Sequence, residues 1–571
     1  MRCRGIVRAL ALFFLAAAAA PAGWQSGEQR EQQRESSPVV LRATTQLVLV
    51  DVVATDRSGK PVTGLTAEDF ELLEDGKPHE IATFGYESRS VSEPFQMPLL
   101  PENIYTNRPE YVAPPGPPVV LLLDGLNSTT EDQAYARQQL LKYLATQLQA
   151  GQRTAVLALG TRLHLLQGFT SDPQLLRAAI ERHTKGRLAE DIRTESHADL
   201  PEQAVAMLAE MAPQVLQSLE RYAAERVAMT TDMRVATTLA ALRAIARALG
   251  GLPGRKNLVW VSATFPLLLT PNPAADSTIF RSYADELRRT ATMLADAQVA
   301  VYPVDARGLV NYAMTEASEA ARLYRGMPGG PTADSRLAQR DDHLLSSQQT
   351  MGLIADQTGG RAFTNRNDID AAVGLALADG SSYYVLGYYP TNRKWDGKFR
   401  KVEVRLRRPG VELRHRQGYY AVDPQRMGPR GKERELELAG AIADPLPASV
   451  VSFRAHVPPV EPRAKAAVVV QFLVDAETVT FQTAEEGKRS FNVDFLVAAV
   501  APDSTVAAKD NHTVSATLQP DIYQRVLRNG LPYEMKLSVP AGRYQLRLIV
   551  RDNPTGWLGA LDVPLVIEAP R

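Results

Sequence analysis

A carboxylate, a carboxamide and a hydroxyl stand within five residues of one another at Asp124, Asn127 and Ser128, with Thr129 next, directly after an apolar run at 119–123. Such groups can hydrogen-bond a partner. They can also satisfy the free amides of a following helix, through Asp124 and Asn127 or through Ser128 and Thr129. Catalysis needs a fuller constellation. The 8 histidines are scattered singly, with no His-Glu-x-x-His zinc motif. His164 and His456 alternate with apolar neighbours, as strand residues do. There is no Gly-x-Ser-x-Gly nucleophile elbow and no EF-hand loop. The glycine-rich basic segment 251–256 follows a helix and precedes a strand, the reverse of a phosphate loop. Carboxylates are abundant, but no spacing pairs them for acid–base work. The residues therefore point to binding rather than catalysis, with a secreted enzyme of unknown chemistry as the third reading.

The elements that must hold Asp124 follow from the pattern around it. Residues 119–123 are apolar without alternation, as in a strand buried on both faces of a parallel sheet. An amphipathic helix is expected over 131–149, then strands at 154–159 and 163–166 and a helix from about 173. Helix 235–249, strand 257–262, helix 283–297 and strand 299–304 follow. A helix at 344–358 is stopped by Gly359-Gly360 before a short strand at 361–364. Alternating strands and helices imply a doubly wound, Rossmann-like α/β domain over residues 118–379. Residues 185–231, with helix over 201–227, and the polar loop 310–342 exceed what that fold needs and read as surface insertions.

On either side the period changes to two. Residues 38–92 read as the first part of a β-domain, with Asp75-Gly76 turning a hairpin, and residues 380–423 as its second part. Residues 93–117 and 424–441 read as linkers, and 442–571 as a C-terminal β-sandwich-like domain. The basic stretch 393–416 alternates Val402, Val404 and Leu406 with charged residues, so it reads as a half-buried strand with a solvated face.

The chain has 571 residues, and its 64 Lys plus Arg balance 64 Asp plus Glu. That balance supplies no global field to capture nucleic acid. Arg2, Arg4 and Arg8 precede an apolar run at 9–20 and small residues near 18–22, the layout of a secretory signal peptide over residues 1–22. The run is shorter than the ~20 residues that span a bilayer, so no transmembrane segment is expected in the mature chain. Residues 23–37 read as a disordered tether. The only cysteine, Cys3, lies in the leader, which excludes disulfides and Cys-type zinc sites from the mature protein. Export to the periplasm or the medium is the expected location.

Several motifs carry a family resemblance. They are Asp51-Val52-Val53-Ala54-Thr55-Asp56, Glu74-Asp75-Gly76-Lys77-Pro78, Leu123-Asp124-Gly125-Leu126-Asn127-Ser128, Gly168-Phe169-Thr170-Ser171-Asp172, Tyr302-Pro303-Val304-Asp305-Ala306-Arg307-Gly308 and Arg416-Gln417-Gly418-Tyr419-Tyr420. With them the chain resembles the VWFA-related proteins of Acidobacteria, within the von Willebrand factor type A-like domain family. The resemblance implies a von Willebrand A-like domain flanked by β-sandwich domains. It also implies a divalent cation held by oxygen ligands at the carboxyl ends of the strands, where Mg²⁺ leaves a position open to a partner's carboxylate. Carried onto this sequence, the metal ligands would be Asp124, Asn127 and Ser128, with a threonine from Thr230, Thr231, Thr237 or Thr238. Leu126 stands where the motif has its middle serine, and Ala263 where the fourth strand would end in aspartate. The adhesion motif is thus degenerate: weak Mg²⁺ or Mn²⁺ is the most it would hold, and no other cofactor is assigned. The expected role is an exported, non-catalytic binding protein that contacts a protein or cell-surface polymer. Its rim would comprise Asp124, Asn127, Ser128, Thr129 and Thr231. The alternative is a structural or assembly scaffold of the bacterial cell envelope.

Overall fold

The computed structural model describes residues 47–88, 99–112, 118–146, 152–183, 210–264, 283–308, 347–392, 394–423, 428–444 and 446–570. The residues read as a leader (1–22) and a tether (23–37), those read as the insertion 310–342 and the part of 185–231 before residue 210 lie outside them.

The chain enters through β1 (Val48–Asp56), β2 (Phe70–Glu74), β3 (Lys77–His79) and β4 (Thr83–Ser88). Asp75 and Gly76, both at positive φ, turn β2 into β3, which is the conformation that Asp-Gly supplies at least cost. A short strand β5 (Ile104–Thr106) and helix α1 (Pro109–Val112) follow. Residues 93–117, read as a linker, thus contain a strand, and β5 pairs far away in the C-terminal unit.

The central unit contains β6 (Val119–Asp124), α2 (Thr130–Thr146), β7 (Thr154–Leu159), β8 (Leu163–Thr170) and α3 (Pro173–His183). It continues with α4 (Pro213–Leu249), β9 (Lys256–Ser262), α5 (Ala284–Asp296), β10 (Val299–Asp305), a helix α6 seen over 347–358, and α7 (Ile369–Asp379). Its sheet runs β10-β9-β6-β7-β8. Four strands are parallel, and β8 returns antiparallel to β7. Val120 and Leu122 pack with Leu239, Leu242, Ile245, Leu287 and Leu294 on one face. Val119 and Leu121 pack with Leu140, Leu176, Val373 and Leu377 on the other. A sheet buried on both sides needs the unbroken aliphatic strands seen in the sequence. The helix expected at 201–227 and the one at 235–249 form, from Pro213 onward, the single 37-residue α4.

Strands β11 (Ser382–Tyr388), β12 (Phe399–Leu406), β13 (Val411–Arg414) and β14 (Gly418–Tyr420) return to the first unit. They complete two four-stranded sheets, β13-β1-β11-β4 and β14-β12-β2-β3, whose Val50, Val52, Phe70, Leu72, Tyr384, Leu386, Val402 and Val404 close one core. The charged segment 424–441, read as a linker, carries most of helix α8 (Gly431–Ala443). The C-terminal unit follows with β15 (Ala448–Ser449), β16 (Phe453–His456), β17 (Lys465–Val474), β18 (Gln482–Thr483), β19 (Arg489–Val500) and β20 (Val506–Leu518). Helix α9 (Pro520–Asn529) precedes β21 (Leu531–Pro540), β22 (Gly542–Asp552) and β23 (Leu558–Ile567). Two sheets, β15-β23-β22-β19-β18 with β20 beside β19, and β21-β17-β16-β5, share a second core.

The C-terminal unit docks on the end of α4. Arg247 reaches Asp444 at 3.3 Å, and Asn107 holds the carbonyls of Ala448 and Val451 at 2.6 and 2.9 Å. Gly251 lies so close that a Cβ there would sit 2.2 Å from the Ser449 carbonyl oxygen. Gly251→Ala must therefore push two backbones apart, at an expected cost of about 1–3 kcal/mol. Calorimetry of the variant should show a separate, earlier transition for the C-terminal unit. An unchanged single endotherm would refute this docking.

Candidate functional site

β6 and β9 are parallel neighbours, with Leu122 beside Trp260 and Leu123 beside Val261. The register brings Asp124, the last residue of β6, to the end of β9. Trp260 and Ser262 are two apart in β9 and share one side of the sheet. Both donate to the Asp124 Oδ2, Trp260 Nε1 at 3.0 Å and Ser262 Oγ at 2.8 Å. The loop after β6 folds back onto the same carboxylate. Asn127 N donates to Oδ1 at 2.9 Å and Asn127 Nδ2 to Oδ2 at 2.8 Å. Asp124 is 3% exposed. Burial pushes its carboxyl above the usual range, and the four hydrogen bonds pull the other way.

Asn127 is the hub. Its Nδ2 also donates to Thr238 Oγ1 at 2.9 Å, and its Oδ1 accepts from Arg234 Nε at 3.2 Å. Its carbonyl accepts from Thr264 N at 3.0 Å and Thr264 Oγ1 at 2.9 Å. Arg234 and Thr238 are one helical turn apart on α4 and so face the loop together. Arg234 Nη2 donates to Thr264 Oγ1 at 3.2 Å. Burial lowers the guanidinium's pKa, and the nearby Asp124 opposes that shift.

Ser128 Oγ accepts from Ala263 N at 3.0 Å, stitching the loop to the end of β9. Thr129 caps α2. Its Oγ1 accepts from Asp132 N at 3.2 Å, and the Asp132 carboxylate takes Thr129 N and Oγ1, a reciprocal capping pair. Thr231 is half-buried on α4, about two helical turns before Thr238. The threonine that meets the loop is Thr238. Leu126 belongs to the apolar core under the loop. Asp305, ending β10, is held by its own neighbour Arg307 through Nε at 2.8 Å and Nη2 at 2.7 Å.

The structure thus brings Asp124, Asn127 and Ser128 together with Trp260, Ser262, Thr264, Thr238 and Arg234. Sequence reasoning left out Arg234 and Trp260. The available signal was an arginine one turn before Thr238, on a helix whose other residues here, Val235, Leu239 and Leu242, are buried. A carboxylate offers about four lone-pair positions; three donors meet the Asp124 Oδ2 and one meets Oδ1. Ser128 Oγ is engaged at the other side of the loop, and a guanidinium rests on the Asn127 side-chain oxygen. Among the described residues there is no group of three or more His, Cys, Asp or Glu placed to hold a metal ion.

No family model matches the sequence, and none of the curated proteins does. Solved structures are similar at low levels. A von Willebrand factor type A protein from Catenulispora acidiphila is 9% identical over 92% of this chain and 76% of its own, with a TM-score of 0.23. An aerotolerance-related membrane protein from Bacteroides fragilis is 12% identical over 46% of this chain and 98% of its own, with a TM-score of 0.24. The conserved hypothetical protein BatB from Bacteroides thetaiotaomicron is 9% identical over 46% and 98%, with a TM-score of 0.20. At such values nothing of those proteins' roles passes to this chain. No helix among the described residues is long and apolar enough to cross a membrane.

Proposed function

We propose that this is an exported, non-catalytic binding protein that contacts a protein partner through the rim around Asp124, with a von Willebrand A-like domain carried on flanking β-sandwich domains. One observation carries the reading: the polar groups of the rim are spent on one another. Asp124 accepts four hydrogen bonds, and both polar atoms of the Asn127 side chain are engaged. Such a carboxylate is a poor base or nucleophile in this reading, because it is buried and both its oxygens already hold donors. What it does provide is a rigid loop that presents Thr129, Thr130 and Glu131 to solvent at the sheet's carboxyl edge. Ligands of open α/β sheets bind at that edge. The motif resemblance to the VWFA-related proteins of Acidobacteria and the secretory leader fit this role in a cell envelope. The adhesion motif works without a metal in this reading, since a dication would first have to displace built-in donors.

The test is capture of partners from an envelope extract by the mature chain and by a Thr130→Glu variant, which sets a second negative charge beside Glu131. The position is exposed, so folding is spared. Capture should fall about tenfold in the variant, the usual scale of a repulsive rim. EDTA should change neither the capture nor the melting temperature, because an ion that does not bind contributes no linkage energy. Equal capture by both proteins would instead favour the envelope scaffold. For that second reading the supporting observation is the tight docking of the C-terminal unit through Asn107, Arg247 and Gly251.

A further inference from the structure

We propose that Arg234 is the built-in cation of this rim and that it receives one carboxylate from an acidic peptide; the inference rests on the binding role above and names its chemistry. The starting point is the mismatch between the site and a divalent ion. The side-chain oxygen of Asn127 receives Arg234 Nε at 3.2 Å, and Thr264 Oγ1 receives Nη2 at 3.2 Å. A positive group already occupies the mouth of the loop, tethered to α4.

Three properties of that group suit it to recognition. It is held in place: two hydrogen bonds and its helix fix the guanidinium plane, so little rotamer freedom is left to lose on binding. It is only half-buried, and its Nη1 meets no acceptor among the described residues. A guanidinium presents parallel N–H groups that match the two oxygens of a carboxylate. Finally, its charge is not closed into an ion pair: Asp124 lies near enough to favour the charged guanidinium, yet neither of its oxygens takes an Arg234 N–H. The carboxylate of Asp124 is shared among Trp260, Ser262 and Asn127, and Arg234 makes no ion pair of its own with it. The next acid of the rim, Asp305, is held by Arg307.

The charge balance selects the ligand. One guanidinium lies above one buried carboxylate, with a closed Asp305–Arg307 pair beside them. A monoanion brings one charge to the single guanidinium, whereas a phosphate dianion brings two, with Asp124 already beside that cation. A uronate polymer spreads its charges along a chain and needs a row of cations to match them. A single acidic side chain in a peptide needs one.

The experiment uses the full mature chain and a fluorescein-labelled hexapeptide of alternating Glu and Gly, blocked at both ends, with its Gln counterpart as control. Fluorescence anisotropy should show the Glu peptide binding and the Gln peptide at least about tenfold weaker. Arg234→Gln should lower the affinity for the Glu peptide about tenfold. Arg234→Lys, which keeps the charge and loses the fork, should fall between. The Lys variant also decides the matter if the Gln variant does not fold. EDTA and Mg²⁺ should leave every value unchanged. The proposal is overturned by equal binding of the two peptides, by indifference to both Arg234 variants, by a Mg²⁺-dependent rise in affinity, or by polygalacturonate binding where the peptide does not. If the Glu peptide fails to bind while envelope capture still responds to the Thr130→Glu change, the carboxylate inference falls and the binding role stands. If both fail, both fall.

Discussion

Asp124→Ala should destabilise the α/β unit by on the order of 3–5 kcal/mol, the range seen when one partner of a buried charged network is removed. The mechanism is specific. Truncation takes the acceptor from the Asn127 amide and from the Trp260 indole N–H in a place almost closed to water, while Asn127 Nδ2 keeps Thr238 Oγ1 and Ser262 Oγ keeps the Thr264 carbonyl. Each stranded donor costs about 1–3 kcal/mol, less whatever the loop recovers by relaxing toward solvent. Arg234 loses its counter-charge at the same time. Asp124→Asn should cost less, because one acceptor oxygen survives while the new amide hydrogens face existing donors. Urea unfolding followed by tryptophan fluorescence measures both. A loss below about 1 kcal/mol for the alanine variant would show that the network stabilises little.

The second large effect is a pH dependence centred on Lys256. This lysine begins β9, is 1% exposed, and donates from Nζ to the Leu252 carbonyl at 2.8 Å. Burial pushes its pKa from 10.5 down to about 7, opposed by the charge of Asp51 across the unit boundary. Between about pH 7 and 10.5 the unfolded chain holds this proton and the folded chain does not. Unfolding therefore takes up a proton in that window, and stability rises with pH by up to about 1.4 kcal/mol per unit. Below about pH 7 both states are protonated, and the burial penalty is present in full. Asp51 is itself shifted upward by burial, and a raised carboxyl contributes with the opposite sign, lowering stability as pH rises. Measuring the pair in an Asp51→Asn background removes that opposing contribution. Lys256→Met should abolish the upward slope above about pH 7 and leave the variant the more stable protein at neutral pH. Parallel pH profiles for the two proteins would remove Lys256 as the cause.

How much of this was legible in the residues depended on the range over which each feature is decided. The strand 119–123 and the Asp75-Gly76 turn are local decisions, readable because aliphatic runs and positive-φ residues have few alternatives. The loop Asp124, Asn127 and Ser128 was legible as a unit for the same reason. Its other half comes from Thr238, Trp260 and Ser262, more than 100 residues away, and only the parallel register of β6 and β9 brings them in. Strand β5 was hidden because three residues are too few to show a period. Helix α8 was hidden by its charges, which read as solvated. In the fold they are used: Arg434 clasps the fully buried Asp494 at 2.8 Å through two nitrogens, Arg289 pairs with Glu433, and Glu437 meets Arg551 at 3.2 Å. Charged residues predict exposure only until a partner elsewhere in the chain claims them.

The antiparallel pairing of β1 with β11 has a mechanical consequence. Residues 48–52 of the entering chain lie against residues 384–388 of the returning chain, so the two strands form a clasp at the base of the α/β unit. Val48 and Tyr388, where the chain enters and leaves the pair, lie at the same end of it, so tension passing along this route opens the clasp one residue pair at a time. The rim around Asp124 lies in the chain between the two strands, and along this route it bears load only once the clasp has opened.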